Sequence, residues 1–301
     1  WEMGIRGLRV PIQDLENDKT RRRMQIMTEV GHNFHVYVYD IPTGEQISLI
    51  KENAHLLSQL EIVISWDKIQ DYTKVLEELS NKTGLNIILS RVNRKDSAKT
   101  SGGKFNHLIS HGFNLSEEEE LSKFLLDNKG LISGVQFTIT RAECPWNAAH
   151  LVSNFANKTG CNPYLYVKST EASPAERFND EISNTLRFGD VCLAAIGNDV
   201  NVIIDTFDDA DRGYFTRTGL VDRRFNPRLA SNILSELIQR LSTDGPWQVL
   251  QNDGTQKLIN KRNKTIRVGL KESLKSGEKL INPFTGRTDQ TNEAKVYIIE
   301  G

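Results

Sequence analysis

Polar side chains at the ends of short apolar segments are the residues of this chain that could do chemistry. They are rich in carboxylates and arginines, and those singled out are Asp40, Trp66, Asp67, Asn93, Arg94, His111, Arg141, Glu143 and Glu171. Two carboxylic acids can divide acid and base work between them when one is kept protonated and the other ionised. Because guanidinium groups pair bidentately with carboxylate-like groups, the arginines favour an anionic ligand.

The elements that must position these residues are short β-rich segments alternating with helical ones. Runs such as Ile62-Val-Ile are typical of parallel strands that are covered on both faces. Eight strand and helix units in about 242 residues average about 30 residues each, which predicts an α/β fold of the (β/α)8 TIM barrel type. The alternative, a doubly wound sheet, would call for a GxGxxG turn that the sequence lacks. The predicted strands are 7–12, 34–39, 60–65, 85–90, 105–110, 135–140, 163–167 and 201–204, and the predicted helices include 45–60, 71–80, 115–126, 146–157 and 226–241.

The last part of the chain has a different sequence pattern. From Gly245 onward, short strand-like runs are separated by turn sequences such as Asn252-Asp-Gly. This pattern predicts a barrel domain over residues 1–242 and a small all-β accessory domain over 243–301. With about 57 residues, the second domain is expected to pack on the flank of the barrel.

One segment resembles a known family. Gly219-Leu-Val-Asp222, followed by Pro227-Arg-Leu-Ala230, resembles the segment after the last barrel strand in the large clan of retaining (β/α)8 glycoside hydrolases. Gly4-Ile-Arg-Gly-Leu-Arg-Val-Pro11 is similar to an early strand of that clan, and the trailing β-domain to its common accessory module. The resemblance covers most of the chain and implies a barrel that hydrolyses glycosidic bonds with two carboxylic acids about 5 Å apart.

In that clan the general acid follows the fourth strand, usually in Asn-Glu, and the nucleophile follows the seventh. Counting the eight predicted strands places Glu171 after the seventh strand, but Arg94 stands where the acid belongs, and arginine cannot donate a proton near neutral pH. Counting 7–12 as the second strand instead makes Asp67 and Glu143 the pair. Neither count gives Asn-Glu. We take Glu171 as the candidate nucleophile from the first count, and the acid comes from Glu143 or Asp67.

The remaining candidates each have a binding and a structural interpretation. Trp66 suits either sugar stacking or core packing, and His111 either a sugar hydroxyl or a neighbouring loop. Asp40, Asn93, Arg94 and Arg141 are expected to contact the sugar or orient the carboxylates. The Asp205, Asp208, Asp209 and Asp211 group lacks the pattern of a calcium loop, so salt bridges to Arg212, Arg223 and Arg224 are the simpler account.

Composition narrows the function classes. The 301 residues are 38% hydrophobic and 26% charged, which is ordinary globular usage. With 38 basic against 39 acidic residues, the net charge of -1 provides no global field for nucleic acid or an anionic membrane. No apolar run reaches the length of a membrane span. The three cysteines predict neither a disulfide framework nor a zinc site, and we expect no metal or other cofactor.

Three functional hypotheses follow. The first is an extracellular or periplasmic glycoside hydrolase acting on a poly- or oligosaccharide. Four Asn-x-Ser/Thr sequons are compatible with that location. The absence of a leader before Trp1 suggests that a signal peptide was removed or lay upstream. The second is a catalytically inactive barrel that serves as a carbohydrate-binding or scaffold domain beside other domains of a larger polypeptide. The third is a lyase or isomerase that uses His111 or Lys168 as a base.

Overall fold

The structure, a computed structural model, describes residues 3–92, 111–169, 180–211, 216–217, 219–252, 254–289 and 294–301. Within these ranges, strands and helices alternate up to Asp244 and are followed by strands with a single short 3-10 helix. The predicted strand 105–110 lies outside the described residues. The predicted fold class is confirmed: a barrel-like parallel sheet with helices, and a separate antiparallel sheet.

Seven strands form the parallel sheet, and they are hydrogen-bonded in chain order from β1 to β7. Val36 on β2 pairs with Leu60 on β3, and Leu60 in turn pairs with Ile87 on β4. Because alternate residues of a strand point to opposite sides of a sheet, these paired apolar residues share one face. The strands are β1 (Gly7–Pro11), β2 (Asn33–Tyr39), β3 (Leu57–Ile64), β4 (Asn86–Arg91), β5 (Gly134–Ile139), β6 (Asn162–Val167) and β7 (Asn201–Ile204).

Strands β4 and β5 are direct neighbours. Ile88 pairs with Gly134, and a Cβ at position 134 would lie 2.7 Å from the Ile88 side chain, so glycine allows the close approach. Toward the carboxyl ends of these two strands, residues 111–113 come between them, with an antiparallel bridge from His111 to Val92 and a parallel bridge from Phe113 to Phe137. In the order of the described strands β5 follows β4, which differs from the strand count used in both sequence-based assignments of the catalytic pair.

Eight α-helices occur in the described residues. The predicted helix 45–60 is wrong at its end: α3 begins at a Thr43 and Gln46 capping box and ends at Glu52. The Asn53 side chain then donates back to the Leu49 carbonyl, and β3 begins at Leu57. The helices are α1 (Ile12–Glu16), α2 (Asp18–Glu29), α3 (Gly44–Glu52), α4 (Ile69–Thr83), α5 (Glu118–Asp127), α6 (Pro145–Thr159), α7 (Glu181–Asn198) and α8 (Leu229–Asp244).

The antiparallel sheet has five strands in the order β10-β11-β12-β14-β13. Small residues of α7 fit against it, since a Cβ at Gly189 would lie 2.7 Å from Val268, and one at Gly197 would lie 2.5 Å from Leu258. The strands are β10 (Trp247–Asn252), β11 (Thr255–Asn260), β12 (Thr265–Gly269), β13 (Lys279–Ile281) and β14 (Tyr297–Glu300), and a separate two-residue pair is formed by β8 (Ala210–Asp211) and β9 (Thr216–Arg217).

The chain divides into two compact units. The N-terminal unit comprises Arg6–Thr138 and Asn154–Tyr164, and the C-terminal unit comprises Trp1–Ile5, Ile139–Ser153 and Leu165–Gly301. The antiparallel sheet belongs to the C-terminal unit. No helix in the described part of the chain is long and apolar enough to cross a membrane.

Candidate functional site

The parallel sheet has one polar face in the N-terminal unit. On β2, the alternate residues His35, Tyr37 and Tyr39 lie on this face. Val36 and Val38 point to the opposite, apolar side. The polar face is unusual because branched apolar residues dominate the equivalent positions in most barrels of this type. Its members are Arg9, His35, Tyr37, Tyr39, Gln59, Glu61, Ser90, Gln136, Thr138 and Tyr164.

At the centre of the polar face, Arg9 and Glu61 form a bidentate ion pair. Arg9 Nε lies 2.6 Å from Glu61 Oε2, and Nη2 lies 2.9 Å from Oε1. His35 Nε2 approaches Oε2 at 3.1 Å, and Gln136 Nε2 donates to Oε1 at 3.0 Å. Three different donor atoms hydrogen-bond the carboxylate and involve both of its oxygens, so this buried charge is well compensated.

These contacts determine the charge of Glu61. Burial opposes ionisation, but the Arg9 charge and the hydrogen bond from His35 outweigh it and hold the pKa of Glu61 far below its usual value. Glu61 is therefore an ionised carboxylate at any pH at which the protein would work. It cannot serve as a general acid, and it acts instead as the anchor of the network around it.

His111 extends this network toward the carboxyl ends of the strands. Arg9 Nη2 lies 3.0 Å from His111 Nδ1, and Tyr39 Oη lies 3.1 Å from Nε2. The Tyr37 ring meets the imidazole edge-on at 5.3 Å between centroids, and the Arg9 guanidinium carbon stands 3.9 Å from the Tyr37 centroid. His111 is 5% exposed, so within the described residues it is held inside an aromatic and cationic cage.

Carboxylates lie at the strand ends around this cage. Asp14 is in the short helix α1 directly after β1, and its burial raises its pKa above the usual value. Asp40 follows β2 with a φ of 61°, is exposed, and is hydrogen-bonded by Tyr72. Tyr37 and Tyr39 are partly exposed. Aromatic faces beside hydrogen-bonding groups are suited to bind a sugar ring.

Two predicted site residues follow β3. Trp66 is 7% exposed, packs edge-on against Phe113 and Phe124, and donates from Nε1 to Glu120 at 2.7 Å. This burial favours core packing over sugar stacking, the two roles left open by the sequence. Asp67 lies beside it on a one-turn 3-10 helix, Trp66–Lys68, and is exposed.

Two more predicted residues lie in the C-terminal unit. The Glu143 carboxylate accepts from the Thr140 amide at 2.6 Å and from the Thr140 hydroxyl at 2.9 Å. Arg141 donates to Asn184 Oδ1 at 2.9 Å and to Ser183 Oγ at 3.3 Å, which ties the β5 end to the start of α7. Both side chains therefore organise the turn between β5 and α6 in the described structure.

The other predicted site residues, Asn93, Arg94 and Glu171, lie outside the described residues. Asp67 and His111 belong to the N-terminal unit and Glu143 to the C-terminal unit. Within the N-terminal unit the structure joins His111 to Arg9 and Tyr39, neither of which we singled out from the sequence.

The acidic segment after β7 makes contacts within the C-terminal unit. Asp209 pairs with Arg228, and Asp222 accepts from the backbone amides of Arg224 and Asn226. Asp205 accepts from the Ser169 amide and hydroxyl, both at 3.0 Å. Of the predicted partners, Arg212 lies outside the described residues. Among the described residues, no group of three His, Cys, Asp or Glu side chains is arranged to hold a metal ion.

Sequence reasoning missed Arg9, His35, Glu61 and Gln136. A signal was present: Glu61 is the one charged residue in the apolar run from Leu60 to Ile64, and β2 alternates ring-bearing polar residues with apolar ones. A charged residue in the middle of a buried strand indicates a partner on the same face, because an isolated buried charge is very costly. The pattern does not say which residue that partner is.

Comparisons with known proteins bear on the fold. No family model and no curated protein matches the chain. A family 39 glycoside hydrolase from the gut symbiont Bacteroides cellulosilyticus WH2 is among the solved structures that are similar to it, with a TM-score of 0.58 and 11% sequence identity. The match covers 99% of this chain and 74% of that one. At this identity the likeness shows that the two proteins share a fold.

Proposed function

We propose that this chain acts on a poly- or oligosaccharide at the carboxyl ends of its parallel strands. The observation that carries the proposal is the cluster of the partly exposed rings of Tyr37 and Tyr39 with His111, on a rigid buried ion pair and with Asp14 and Asp40 at the neighbouring strand ends. The shared fold with a glycoside hydrolase supports the same substrate class. An extracytoplasmic location is part of the proposal.

We propose retaining hydrolysis as the activity, with roles assigned by strand order. The Gly219-Leu-Val-Asp222 segment follows β7, so β7 corresponds to the eighth strand of the resembled clan. Counting back along the sheet makes β6 the seventh strand and β3 the fourth. The chain continues from β6 into Lys168-Ser-Thr-Glu171 and from β3 into Asp67. This count makes Glu171 the nucleophile and Asp67 the acid.

The same count changes the proposed role of Glu143. It follows β5, the sixth strand by this order, and its carboxylate is bonded to Thr140. We assign it a structural role at the turn. Among the other predicted residues, His111 and Asp40 are proposed to border the sugar, and Arg94 and Asn93 to contact it. Arg141 is proposed to position the loop between β5 and α6, and Trp66 to support Asp67 from the core.

The test is the release of reducing ends from a glycan panel by the parent and by Glu171→Gln, Asp67→Asn and Glu143→Gln. Loss of an acid catalyst costs about 10² to 10⁴ in rate, so Asp67→Asn is expected to fall by that amount and Glu171→Gln by at least as much. Glu143→Gln is the matched control, and its kcat is expected to stay within a few-fold of the parent. A folded Glu171→Gln that works as fast as the parent contradicts the proposal.

The second candidate is a barrel that binds carbohydrate without cleaving it, as a binding or scaffold domain. Two observations favour it: Glu143 and Glu61 are both committed to bonds within the protein, and Asp67 lies exposed, beside Lys68, where the resembled clan has Asn-Glu. Saturable binding of a glycan with no release of reducing ends by the parent selects this function over hydrolysis.

A further inference from the structure

Arg9 lies between the Glu61 carboxylate and the His111 ring and is within hydrogen-bonding distance of both. One edge of its guanidinium holds the Glu61 carboxylate, and Nη2 also reaches His111 Nδ1 at 3.0 Å. Arginine offers only N–H donors and stays protonated in proteins. A hydrogen bond between these atoms therefore requires Nδ1 to accept, which means that it carries no proton.

The proton of the His111 ring then has one place left. With Nδ1 bare, the neutral imidazole carries its hydrogen on Nε2, which lies 3.1 Å from Tyr39 Oη. Nε2 donates to this oxygen, so the hydrogen of the Tyr39 hydroxyl is directed away from His111. The bonds from Arg9 to His111 and from His111 to Tyr39 thus share one donor-to-acceptor direction.

We infer that Arg9 is a positioning residue that fixes His111 as the uncharged Nε2–H tautomer and thereby makes Tyr39 a hydrogen-bond donor in the proposed saccharide site. Only the last clause rests on the proposed function. The tautomer of His111 is a property of the free protein, so the two parts can fail separately.

The groups that face His111 from the described part of strands β1 to β4 support this assignment. Arg9 approaches from β1 with a positive charge, and Tyr37 and Tyr39 approach from β2 as neutral rings. The nearby carboxylate on β3, Glu61, already accepts from three donor atoms. At the β4 end, Arg91 pairs with Glu117, and its carbonyl accepts from Gly112. A second proton on the ring, at Nδ1, would place its N–H group directly opposite an N–H group of the positively charged Arg9.

The measurement is a long-range proton–nitrogen NMR correlation spectrum of the ligand-free protein between pH 8 and pH 5. The chain has six histidines, so the His111→Gln spectrum identifies the signal by its loss. We expect Nδ1 of His111 to show the shift of a bare ring nitrogen throughout, and Nε2 that of a protonated one. A proton on Nδ1 at pH 7, or on both nitrogens at pH 6, overturns the inference on the parent protein alone.

The role of Arg9 is tested with Arg9→Met/Glu61→Leu, which removes both charges and so leaves no isolated buried ion. In this variant we expect His111 to take up a second proton with a midpoint near the ordinary value of about 6.5. Tyr164→Phe changes the same face without touching His111 and is expected to keep the parental spectrum. If the double variant keeps it as well, Arg9 does not set the tautomer.

If the parent binds a glycan, the affinity gives a second readout that a merely structural role would not change. With His111 fixed in one form, the parental affinity is expected to vary less than threefold between pH 5 and pH 7. In the double variant it is expected to change at least fivefold across the midpoint of His111. Equal pH profiles for the two proteins contradict the positioning role, whereas failure of both to bind counts against the proposed function and leaves the tautomer assignment intact.

Discussion

A buried and a half-buried carboxyl group in different units of this protein have opposite pKa shifts. Glu61, on the polar face of the N-terminal unit, has its pKa held far below the usual value despite full burial. Asp190, on α7 in the C-terminal unit, has its pKa raised to about 6 by burial, although a Trp146 hydrogen bond and the Arg187 charge oppose this. The difference is one of partners: the Arg9 guanidinium contacts Glu61 through two nitrogens and outweighs the effect of burial there, whereas the Arg187 charge and the Trp146 hydrogen bond do not outweigh burial at Asp190.

This comparison shows that burial alone does not decide the charge of a group. The two groups also change the pH dependence of folding stability in opposite directions. A folded-state pKa below the unfolded one stabilises the protein above pH 4.5, and this contribution is lost as the pH falls below that value. A folded-state pKa above the unfolded one costs stability as the pH rises, with the cost developing between about pH 4 and pH 6 for Asp190.

The largest effect is expected from breaking the pair in the N-terminal unit. Arg9→Met leaves the Glu61 carboxylate buried without its main partner, which should cost about 3 to 5 kcal/mol in urea unfolding at pH 7. Arg9→Met/Glu61→Leu should recover most of that loss, because no charge is left inside. If the double variant is as unstable as the single one, packing of the arginine stem and not charge explains the loss.

A smaller effect of opposite sign is expected from Asp190→Asn. The amide resembles the protonated carboxyl, so the variant should be about 2 kcal/mol more stable than the parent at pH 8, since partial exposure screens part of the penalty. At pH 4 the two proteins should be equal within error. Thermal unfolding at both values checks this. A gain that is the same at pH 4 and pH 8 contradicts the titration of Asp190.

The smallest effect is expected from relieving backbone strain in the C-terminal unit. Phe225 is 68% exposed and has a φ of 62°, in the left-handed region that bulky residues avoid. Phe225→Asn should therefore stabilise the protein by about 1 kcal/mol, because asparagine tolerates this conformation and little burial is lost.

The matched control for this change is Phe207→Asn. Phe207 is 50% exposed and is not among the residues with positive φ. The same substitution there should leave the unfolding midpoint unchanged or slightly lower. Equal gains at the two positions would mean that removal of an exposed ring, and not relief of backbone strain, stabilises the chain.

Much of the fold could be predicted from the sequence because the signals are local. The apolar run from Ile62 to Ile64 lies in β3, the predicted helix 115–126 overlaps α5, and β10 ends at Asn252, where the turn sequence begins. The neighbours of each strand could not be predicted: β4 pairs directly with β5 at Ile88 and Leu89, whereas residues 111–113 come between their carboxyl ends. Local β propensity does not say which strands are neighbours.

The candidate site was harder to predict because its contacts are distant in sequence. Arg9 and Glu61 are 52 residues apart, and Arg9 and His111 are 102 apart. Strand-end counting finds the residues at the rim, such as Asp40 and Asp67. It does not find a network that begins in the middle of the strands, where an apolar residue is the usual expectation.

The central claim is that the chain cleaves glycans through a covalent step on Glu171, with Asp67 as the acid. Time-resolved proton NMR of the anomeric signals during cleavage tests this most directly, because a two-step displacement preserves the configuration of the released sugar. We predict that the first product has the anomeric configuration of the substrate. Release of the opposite anomer, or no release from any glycan that the protein binds, contradicts the account.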